Sequence, residues 1–404
     1  MPEETTAMPP QLRKVIEFGV VAICVVGTSL LLLGIIVLLI TGNHPGGRDV
    51  ISFWAAGRQV VAHADPYDAA SILRLERTAG FPALAQSLIM RNPPSALALV
   101  LPLAAFQPRG ASLLWSLLLL ASLGLSVYLI WVMRGRPANQ VHLLGYCFGP
   151  ALICIMGGQS ALFALLGLVL FLRLHRQHSF LAGMALWLCA LKPHLFLPFG
   201  VVVLLWIAQR RKYGVLAGAA LALAASSALA TWLDPAVWAQ YIHMMHTPNL
   251  QAEFVPSLGY GLRRALHPTA VWLQYVPAMI GCCWAVYFFR SRRDRWDWME
   301  DGALLMLVSL LVSPYAWVTD HAILIPALLA GAYRATLAQI AVLAVASALL
   351  DIAQLVGNNM HSAMYIVVPP FWLAWYLYVT WQRPGCTGEI GTPDPAVAGA
   401  LGRA

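Results

Sequence analysis

The 404-residue chain is 60% hydrophobic and only 10% charged, with a mean hydropathy of +0.72. This composition excludes a water-soluble globular domain and places the chain among integral membrane proteins. The net charge of +8 does not indicate nucleic-acid binding, because 22 of the 25 basic residues are arginines and most stand in short clusters between apolar runs. Basic residues in such positions fix membrane topology.

Apolar runs punctuated by Gly, Pro and charged residues predict about twelve transmembrane helices in a single domain, residues 1–404. The helices are predicted at 15–41, 109–133, 141–156, 158–174, 180–191, 193–208, 213–233, 269–289, 301–313, 319–333, 336–355 and 362–381. The first is longer than the apolar part of a signal peptide, so we expect a retained anchor. The tails at 1–12 and 384–404 lack apolar periodicity and are predicted to be flexible.

The apolar segment 93–107 is interrupted and bracketed by prolines, which remove backbone donors. We predict that it is re-entrant or very short, because every basic loop then falls on the cytoplasmic side. These loops hold Arg13 and Lys14, Arg134 and Arg136, Arg173 and Arg176, Arg210 to Lys212, Arg290 to Arg295, Arg334, and Arg383.

With that orientation, the opposite face holds the segments 42–92, 157–160, 192–194, 234–268, 313–321 and 357–361. The first of these is a large extracytoplasmic loop and the least hydrophobic part of the chain. We therefore expect a multi-pass protein of a bacterial inner membrane, whose chemistry faces the periplasm or the cell exterior.

The large loop contains ISFWAAGRQVVAHA, whose apolar residues recur at helical spacing. The stripe consists of Phe53, Trp54, Gly57, Val60 and Val61, and predicts a helix lying in the headgroup region. Asp49 stands just before this helix. It is either a helix cap that accepts backbone N–H bonds, or a carboxylate directed at a cavity along the membrane face. Further on, Asp65 opens a DPYD segment that is typical of a turn followed by a capped helix.

Lys192 lies in CALKPHLF between two short apolar helices. An ionisable residue at that depth faces a cavity or a partner, or else its amine reaches the interface. His194, two residues later, is placed to donate to the same anion. In the turn GGQS, the tightness of the turn explains the two glycines. It does not explain Gln159, which is therefore a candidate site residue.

Asp320 and His321 interrupt an apolar stretch in SPYAWVTDH. They are candidates to orient a sugar hydroxyl or a phosphate, or else they pair with each other. No metal or cofactor is predicted: His243 and His246 lack a third ligand nearby, and the cysteines form no CxxC pair. The chain also lacks a DxD pair and a Gly-rich phosphate loop, which disfavours a nucleotide-sugar donor.

An outer carboxylate beside cations at the membrane boundary suits a donor whose leaving group is a lipid phosphate. The order of Asp49, FWAAG, DPYD, NPP, GGQS, ALKPH and SPYAW resembles the polyprenol-phosphate-mannose-dependent enzymes of glycosyltransferase family 87, in the GT-C superfamily. The likeness runs from about Arg13 to about Trp381.

The resemblance implies an all-α, GT-C-like bundle with a helical first outer loop. It implies inverting, metal-independent transfer of a sugar, mannose in the family, from a polyprenyl-phosphate donor to an extracytoplasmic lipid or glycan acceptor. Asp49 would be the general base, and His321 matches a family histidine. The residues predicted to contact substrate are Lys192, His194, His321, Asp320, Gln159, Asp65 and Trp54.

Two other functions are compatible with the same features. A transporter or lipid flippase would also hold intramembrane charges, although no repeat between the two halves of the chain supports it. A non-catalytic binder of polyprenyl-linked lipids would need the same cations. Asp49 separates these hypotheses, because a binder should tolerate Asn at this position whereas a general base should not.

Overall fold

The computed structural model describes residues 47–247, 253–357 and 362–381. Within these ranges the secondary structure is helical, with no β-strand. The first eight helices are α1 (Arg48–Val61), α2 (Ala69–Thr78), α3 (Leu97–Val100), α4 (Pro108–Met133), α5 (Gly149–Gly157), α6 (Ala161–Leu174), α7 (Ser179–Cys189) and α8 (Leu197–Arg210). The next eight are α9 (Tyr213–Leu233), α10 (Val237–Met245), α11 (Leu258–Leu266), α12 (Val276–Arg292), α13 (Asp301–Leu311), α14 (Ile325–Ala332), α15 (Leu337–Gly357) and α16 (Val368–Trp381).

The predicted helix at 15–41 and the predicted flexible tails, 1–12 and 384–404, lie outside the described residues. Each of the other eleven predicted helices is present, with boundaries a few residues from the predicted ones. In the described part of the chain, six helices are long and apolar enough to cross a membrane: Pro108–Met133, Pro193–Arg210, Tyr213–Leu233, Val271–Arg292, Leu337–Gln354 and Ala363–Trp381. The total of twelve crossings stays a prediction.

The remaining predicted helices are short. The α-helical part of α6 has 14 residues and that of α7 has 11. A 14-residue helix rises about 21 Å, less than the roughly 30 Å of a hydrocarbon core. Helix α6 supplies much of the buried core, in which Leu162 and Phe171 are almost fully enclosed. Helix α6 therefore packs inside the protein, whereas α7 buries one face and exposes Phe180, Leu181 and Met184 on the other.

Four of the described helices begin with a 3-10 segment that changes to α-helix where a proline occupies the first α-helical turn. The prolines are Pro198, Pro277, Pro326 and Pro369. Proline has no N–H to donate to the carbonyl four residues earlier, so the series of α-helical hydrogen bonds is interrupted there. The residues before the proline form the tighter 3-10 helix. The prolines thus explain why several predicted helices are divided in two.

Helices α7 and α9 meet through their backbones. A Cβ atom on Gly183 would lie 2.0 Å from the carbonyl oxygen of Val215, and one on Gly218 would lie 2.0 Å from that of Phe180. Close approach at small residues is the usual way in which membrane helices associate. The contact holds α7, and the loop that follows it, against the rest of the bundle.

The predicted cytoplasmic loops between Arg134 and Arg334, all within the described residues, come together at one end of the bundle, which we call the basic end. Ion pairs link them: Arg134 with Glu300 at 2.7 Å, Arg176 with Asp297 at 2.9 Å, Arg292 with Asp301 at 2.7 Å, and Arg334 with Glu300. Helix α6 runs from the turn Gly157–Ser160 to this end. That turn therefore marks the opposite end, which we call the polar end.

The segment 93–107 leaves and returns at the polar end. Just before it, the Asn92 side chain donates to the Leu191 carbonyl at 2.7 Å. After it, α4 passes the polar turn, where Trp115 donates to the Gly158 carbonyl at 2.7 Å, and continues to Arg134 at the basic end. The segment consists of α3 and two flanking 3-10 turns, Pro94–Ala96 and Leu101–Ala105.

Helix α1 packs on this segment with the apolar stripe that the sequence analysis assigned to the headgroup region, and its place relative to the headgroups stays a prediction. Trp54 donates its indole N–H to the Phe106 carbonyl at 3.0 Å, and Arg58 donates to the Ala104 carbonyl at 3.3 Å. A Cβ on Gly57 would lie 2.9 Å from the Val100 carbonyl oxygen. Segment 93–107 supplies both an apolar surface and carbonyls that need donors, so the predicted stripe is buried in protein except for Val61, which is 57% exposed.

Candidate active site

The polar turn after α5 is shaped to receive the start of α1. Gly158 has φ +77°, a left-handed conformation that ends the helix. A Cβ on Gly158 would lie 2.8 Å from the Val50 Cβ, and one on Gly47 would lie 2.3 Å from the Gly157 carbonyl oxygen. Glycines therefore allow the two segments to touch, and this contact places Asp49 beside Gln159.

Asp49 is not a helix cap. Gly47 occupies the cap position without a side-chain hydrogen bond, and Asp49 lies in the first turn. Instead, Oδ1 of the Asp49 carboxylate accepts a hydrogen bond from Gln159 Nε2 at 2.7 Å. Its Oδ2 atom has no hydrogen-bond partner among the described residues and lies 3.5 Å from the position of a Cβ on Gly157. The half-buried carboxylate thus keeps one oxygen available.

Lys192 lies on the other side of Gln159. Its ammonium group donates to Gln159 Oε1 at 2.9 Å and to Asp320 Oδ1 at 2.5 Å. Lys192 is 7% exposed and Asp320 is completely buried. The interpretation of Lys192 as an interfacial amine is therefore wrong: it is a buried cation with a carboxylate partner.

Asp320 and His321 do not pair with each other, as one interpretation of the sequence allowed. The second carboxylate oxygen of Asp320 accepts the backbone N–H of Trp317 at 2.9 Å. His321 turns to Trp372, whose indole N–H lies 3.2 Å from Nδ1 of the imidazole. Because indole is only a donor, Nδ1 is the acceptor, and the proton of neutral His321 is on Nε2.

The surroundings of Asp49 raise the pKa of its carboxyl group to about 6. Burial is the largest cause, because it penalises the charged form. The charge of Asp320 adds to the increase, whereas the charges of Lys192, Arg48 and Arg91 oppose it in that order. A carboxyl group with this pKa is mostly ionised at neutral pH and is still basic enough to accept a proton.

The site contains residues that sequence reasoning missed. Arg91 donates to the Tyr315 hydroxyl at 2.8 Å, lies 5.7 Å from the centre of its ring, and forms an ion pair with Glu253. The ring of His194 meets the same tyrosine edge to face at 5.3 Å. Their position in the sequence could have identified them. Arg91 directly precedes the NPP motif, and Tyr315 lies inside SPYAW.

His194 lies near the cluster without joining its hydrogen bonds. Its Nε2 atom is buried and has no hydrogen-bond partner among the residues that the structure describes. Burial of such an atom is costly unless a partner arrives. His194 therefore keeps the capacity, predicted from the sequence, to bond a ligand beside Lys192.

Two predicted site residues lie apart from the cluster. Oδ1 of Asp65 accepts the backbone N–H of Tyr67 at 2.7 Å, and Asp68 caps α2 by accepting the Ser71 N–H at 2.9 Å. This is the turn and capped helix that the DPYD segment predicts. Trp54 donates to the Phe106 carbonyl in segment 93–107, as described above. The structure thus brings together Asp49, Gln159, Lys192 and Asp320, with His194 and His321 at the margin.

No group of three or more His, Cys, Asp or Glu side chains in the described ranges is arranged to hold a metal ion. The assembled side chains are two carboxylates, an amide and an ammonium group, with arginines nearby. Such a set can accept a proton at Asp49 and can stabilise negative charge close to it.

Comparison with known proteins assigns the chain to a family. The model of glycosyltransferase family 87 matches residues 91–314, more than half of the chain. The chain belongs to glycosyltransferase family 87. The resemblance seen in the sequence is thereby confirmed, and the membership indicates a glycosyltransferase.

No curated protein and no solved structure matches the chain. The family match includes Arg91, Gln159 and Lys192, whereas Asp49 and Asp320 lie outside the matched residues. The association of Asp49 with the family segment therefore comes from the three-dimensional contact, in which Gln159 binds it directly.

Proposed function

We propose that this family 87 member is an inverting, metal-independent glycosyltransferase that moves mannose from a polyprenyl-phosphate donor to an extracytoplasmic lipid or glycan acceptor. The observation that carries the proposal is the contact of the Asp49 carboxylate with Gln159 and, through it, with Lys192. A carboxylate with one free oxygen and with cations nearby has the two capacities that such a transfer needs.

In the proposed reaction, Asp49 accepts the proton of an acceptor hydroxyl while the hydroxyl oxygen forms a bond to the anomeric carbon of the donor. The bond between that carbon and the phosphate oxygen breaks, and its electron pair leaves with the phosphate. Attack and departure occur on opposite faces of the sugar, so the anomeric configuration inverts. One carboxylate is sufficient, because a phosphate leaves without needing a proton.

The charge that develops on the phosphate is stabilised by neighbouring cations. Arg48 and Arg91, whose charges also act on Asp49, are the cations proposed for this role. A lipid-linked donor also suits the location of the site, because its polyprenyl chain can stay in the bilayer while its phosphate reaches the end of the helices.

The proposed orientation puts the polar end outside the cytoplasm and the basic end inside. The clustering of the arginine-rich loops at one end supports it, since cytoplasmic loops are enriched in Lys and Arg. Labelling tests this orientation in a chain without native cysteines. A membrane-impermeant thiol reagent should modify Ala85→Cys, in the first outer loop, and should spare Ser291→Cys until the membrane is opened; the reverse pattern would contradict it.

The activity is tested with purified protein in lipid, an acceptor extract and a panel of radiolabelled donors. We expect transfer from polyprenyl-phosphate-mannose and none from GDP-mannose, with no effect of a chelator. The product should show the anomeric configuration opposite to that of the donor by NMR. Transfer from the nucleotide sugar, or retention of configuration, would refute the proposal.

The same experiment separates the enzyme from the alternatives that the sequence left open. A flippase would move polyprenyl-phosphate-mannose between the leaflets of a vesicle without forming a glycosidic bond. A non-catalytic binder would retain the labelled donor unchanged, and Asp49→Asn would not reduce that binding.

A further inference from the structure

A continuous series of hydrogen bonds connects Asp49 to the backbone of the SPYAW segment. The Trp317 N–H and the Lys192 ammonium both donate to Asp320, at 2.9 Å and 2.5 Å. Lys192 also donates to Gln159 Oε1 at 2.9 Å, and Gln159 Nε2 donates to Asp49 at 2.7 Å. These residues come from four separate parts of the chain, so the series exists only in the folded protein.

Lys192 fixes which way the Gln159 amide faces. An ammonium group can only donate and a carboxylate can only accept. With the amide reversed, its NH₂ group would meet the ammonium and its oxygen would meet Asp49, and both contacts would be repulsive. The cation on one side of Gln159 thus ensures that an N–H donor is presented to Asp49 on the other.

Lys192 is also poorly placed to serve a donor phosphate. Its side chain is 9% exposed, that of Asp320 is 0% exposed, and the two charges neutralise each other. Two of its three N–H donors are used within the protein. Charge that is already balanced inside the protein adds little attraction for an incoming anion.

We infer that Lys192 and Gln159 are positioning residues of the active site, with Lys192 acting through Gln159 to orient Asp49, and that Lys192 is not the phosphate contact. This inference rests on the proposed function. The hydrogen bond to Oδ1 fixes the plane of the carboxylate and leaves Oδ2, beside Gly157, to take the acceptor proton. Helix α1 thereby holds its base in one rotamer.

The inference has a pH signature. The charged groups that act on Asp49 are Lys192, Arg48 and Arg91, which favour its ionised form, and Asp320, which opposes it. Loss of the Gln159 donor, or of the Lys192 charge, should raise the pKa of Asp49. The acid limb of the pH–rate profile, where the rate falls with decreasing pH, should then shift to higher pH. A phosphate contact would instead act on the KM for the donor.

The sharpest variant is Gln159→Glu, which keeps an oxygen for Lys192 and replaces the donor to Asp49 by a second carboxylate oxygen. We expect the acid limb of kcat to move to higher pH by about one unit or more, with kcat at neutral pH at least about twofold lower and recovered in alkali. The KM for the donor should stay within about twofold. Gln177→Glu, on an exposed loop at the basic end, is the matched control.

A second variant avoids an unpaired buried charge. The double substitution Lys192→Met with Asp320→Asn removes both members of the ion pair. We expect a smaller shift of the acid limb to higher pH, because the lost charge of Asp320 offsets part of the effect of losing Lys192, with little change in the donor KM. A KM increase of tenfold or more at an unchanged pH profile would overturn the inference and assign Lys192 to the phosphate. A loss of folded protein alone, with normal kinetics per folded molecule, would also overturn it.

Protonation of Asp49 is measured independently of turnover by isotope-edited infrared titration, with Asp49→Asn as the blank. The midpoint should lie near 6 in the unsubstituted protein and higher in both variants. An unchanged midpoint would overturn the inference even if transfer is observed. Absence of transfer by the unsubstituted protein, with the predicted shifts present, would count against the proposed function and not against the positioning role.

Discussion

The two ends of the bundle both contain ion pairs, but these differ in their exposure to water. At the basic end, the side chains of Arg176 and Asp297 are 71% and 37% exposed, whereas those of Lys192 and Asp320 at the polar end are 9% and 0% exposed. Exposed pairs typically contribute about 0–1 kcal/mol to stability. A buried pair must offset a desolvation cost of several kcal/mol per ion, so it is weak evidence for stability.

The comparison teaches that similar residues serve different purposes at the two ends. The basic end distributes its charges over loops, which suits a role in membrane orientation. The polar end concentrates its charges around one carboxylate, and ionisable groups enclosed in a membrane protein usually mark a functional site. Each prediction that follows concerns the polar end and uses a substitution at the basic end as its control.

The largest effect on stability is expected from Asp320→Ala. The substitution leaves the Lys192 ammonium buried without its partner, which should reduce the free energy of unfolding by about 3–5 kcal/mol. Glu300→Ala at the basic end removes a carboxylate whose side chain is 38% exposed, and each lost pair should cost at most about 1 kcal/mol. Unfolding in detergent measures both; equal losses would contradict the contrast.

A smaller effect is expected from Gly158→Ala, with Gly135→Ala as its control. Both glycines have positive φ, +77° and +81°, so each alanine should cost about 1–2 kcal/mol in backbone strain. Only at Gly158 would the new methyl group also press on Val50, since nothing lies within 4 Å of a Cβ on Gly135. Gly158→Ala should therefore lose more stability and also lose transfer activity, because the start of α1 is displaced.

The smallest expected effect is the pH dependence of the unsubstituted protein. Because the pKa of Asp49 is raised to about 6, transfer should fall about tenfold per pH unit below that value. The same increase means that the folded state holds this proton more tightly than the unfolded chain. Protonation of Asp49 thus favours folding at low pH, and that contribution is lost as the pH rises from 3.8 through about 6. The control Glu300→Gln should show the same fall in transfer at low pH as the unsubstituted protein. If transfer by the unsubstituted protein did not fall below about pH 6, the assignment of Asp49 as the base would be contradicted.

Much of the fold follows from the sequence, because apolar runs and prolines determine where these helices begin and end. The division of helices into 3-10 and α segments was not predicted, since it depends on prolines inside predicted helices such as Pro198 and Pro326. The packing of the α1 stripe against protein was not predicted. Its apolar stripe fits a membrane surface as well as a protein surface, and only the position of segment 93–107 decides between them.

The sequence predicted the residues of the site better than the hydrogen bonds between them. Asp49, Gln159, Lys192 and Asp320 were all singled out from the sequence as polar residues at helix ends. Their pairing was not, because it depends on contacts between residues 110 and 128 positions apart. Asp65 and Trp54 carried the same sequence signals, but a local hydrogen bond accounts for Asp65 and a bond to the distant Phe106 carbonyl accounts for Trp54.

The most direct test of the account is the transfer of radiolabelled mannose from polyprenyl-phosphate-mannose by the unsubstituted protein, Asp49→Asn, and the control Asp294→Asn. Asp294 is 84% exposed at the basic end, so its amide variant should transfer normally. We predict that Asp49→Asn lowers transfer by about 10²- to 10⁴-fold at equal protein level, the usual contribution of a general base. Undiminished transfer by Asp49→Asn would contradict the central claim that this carboxylate is the base.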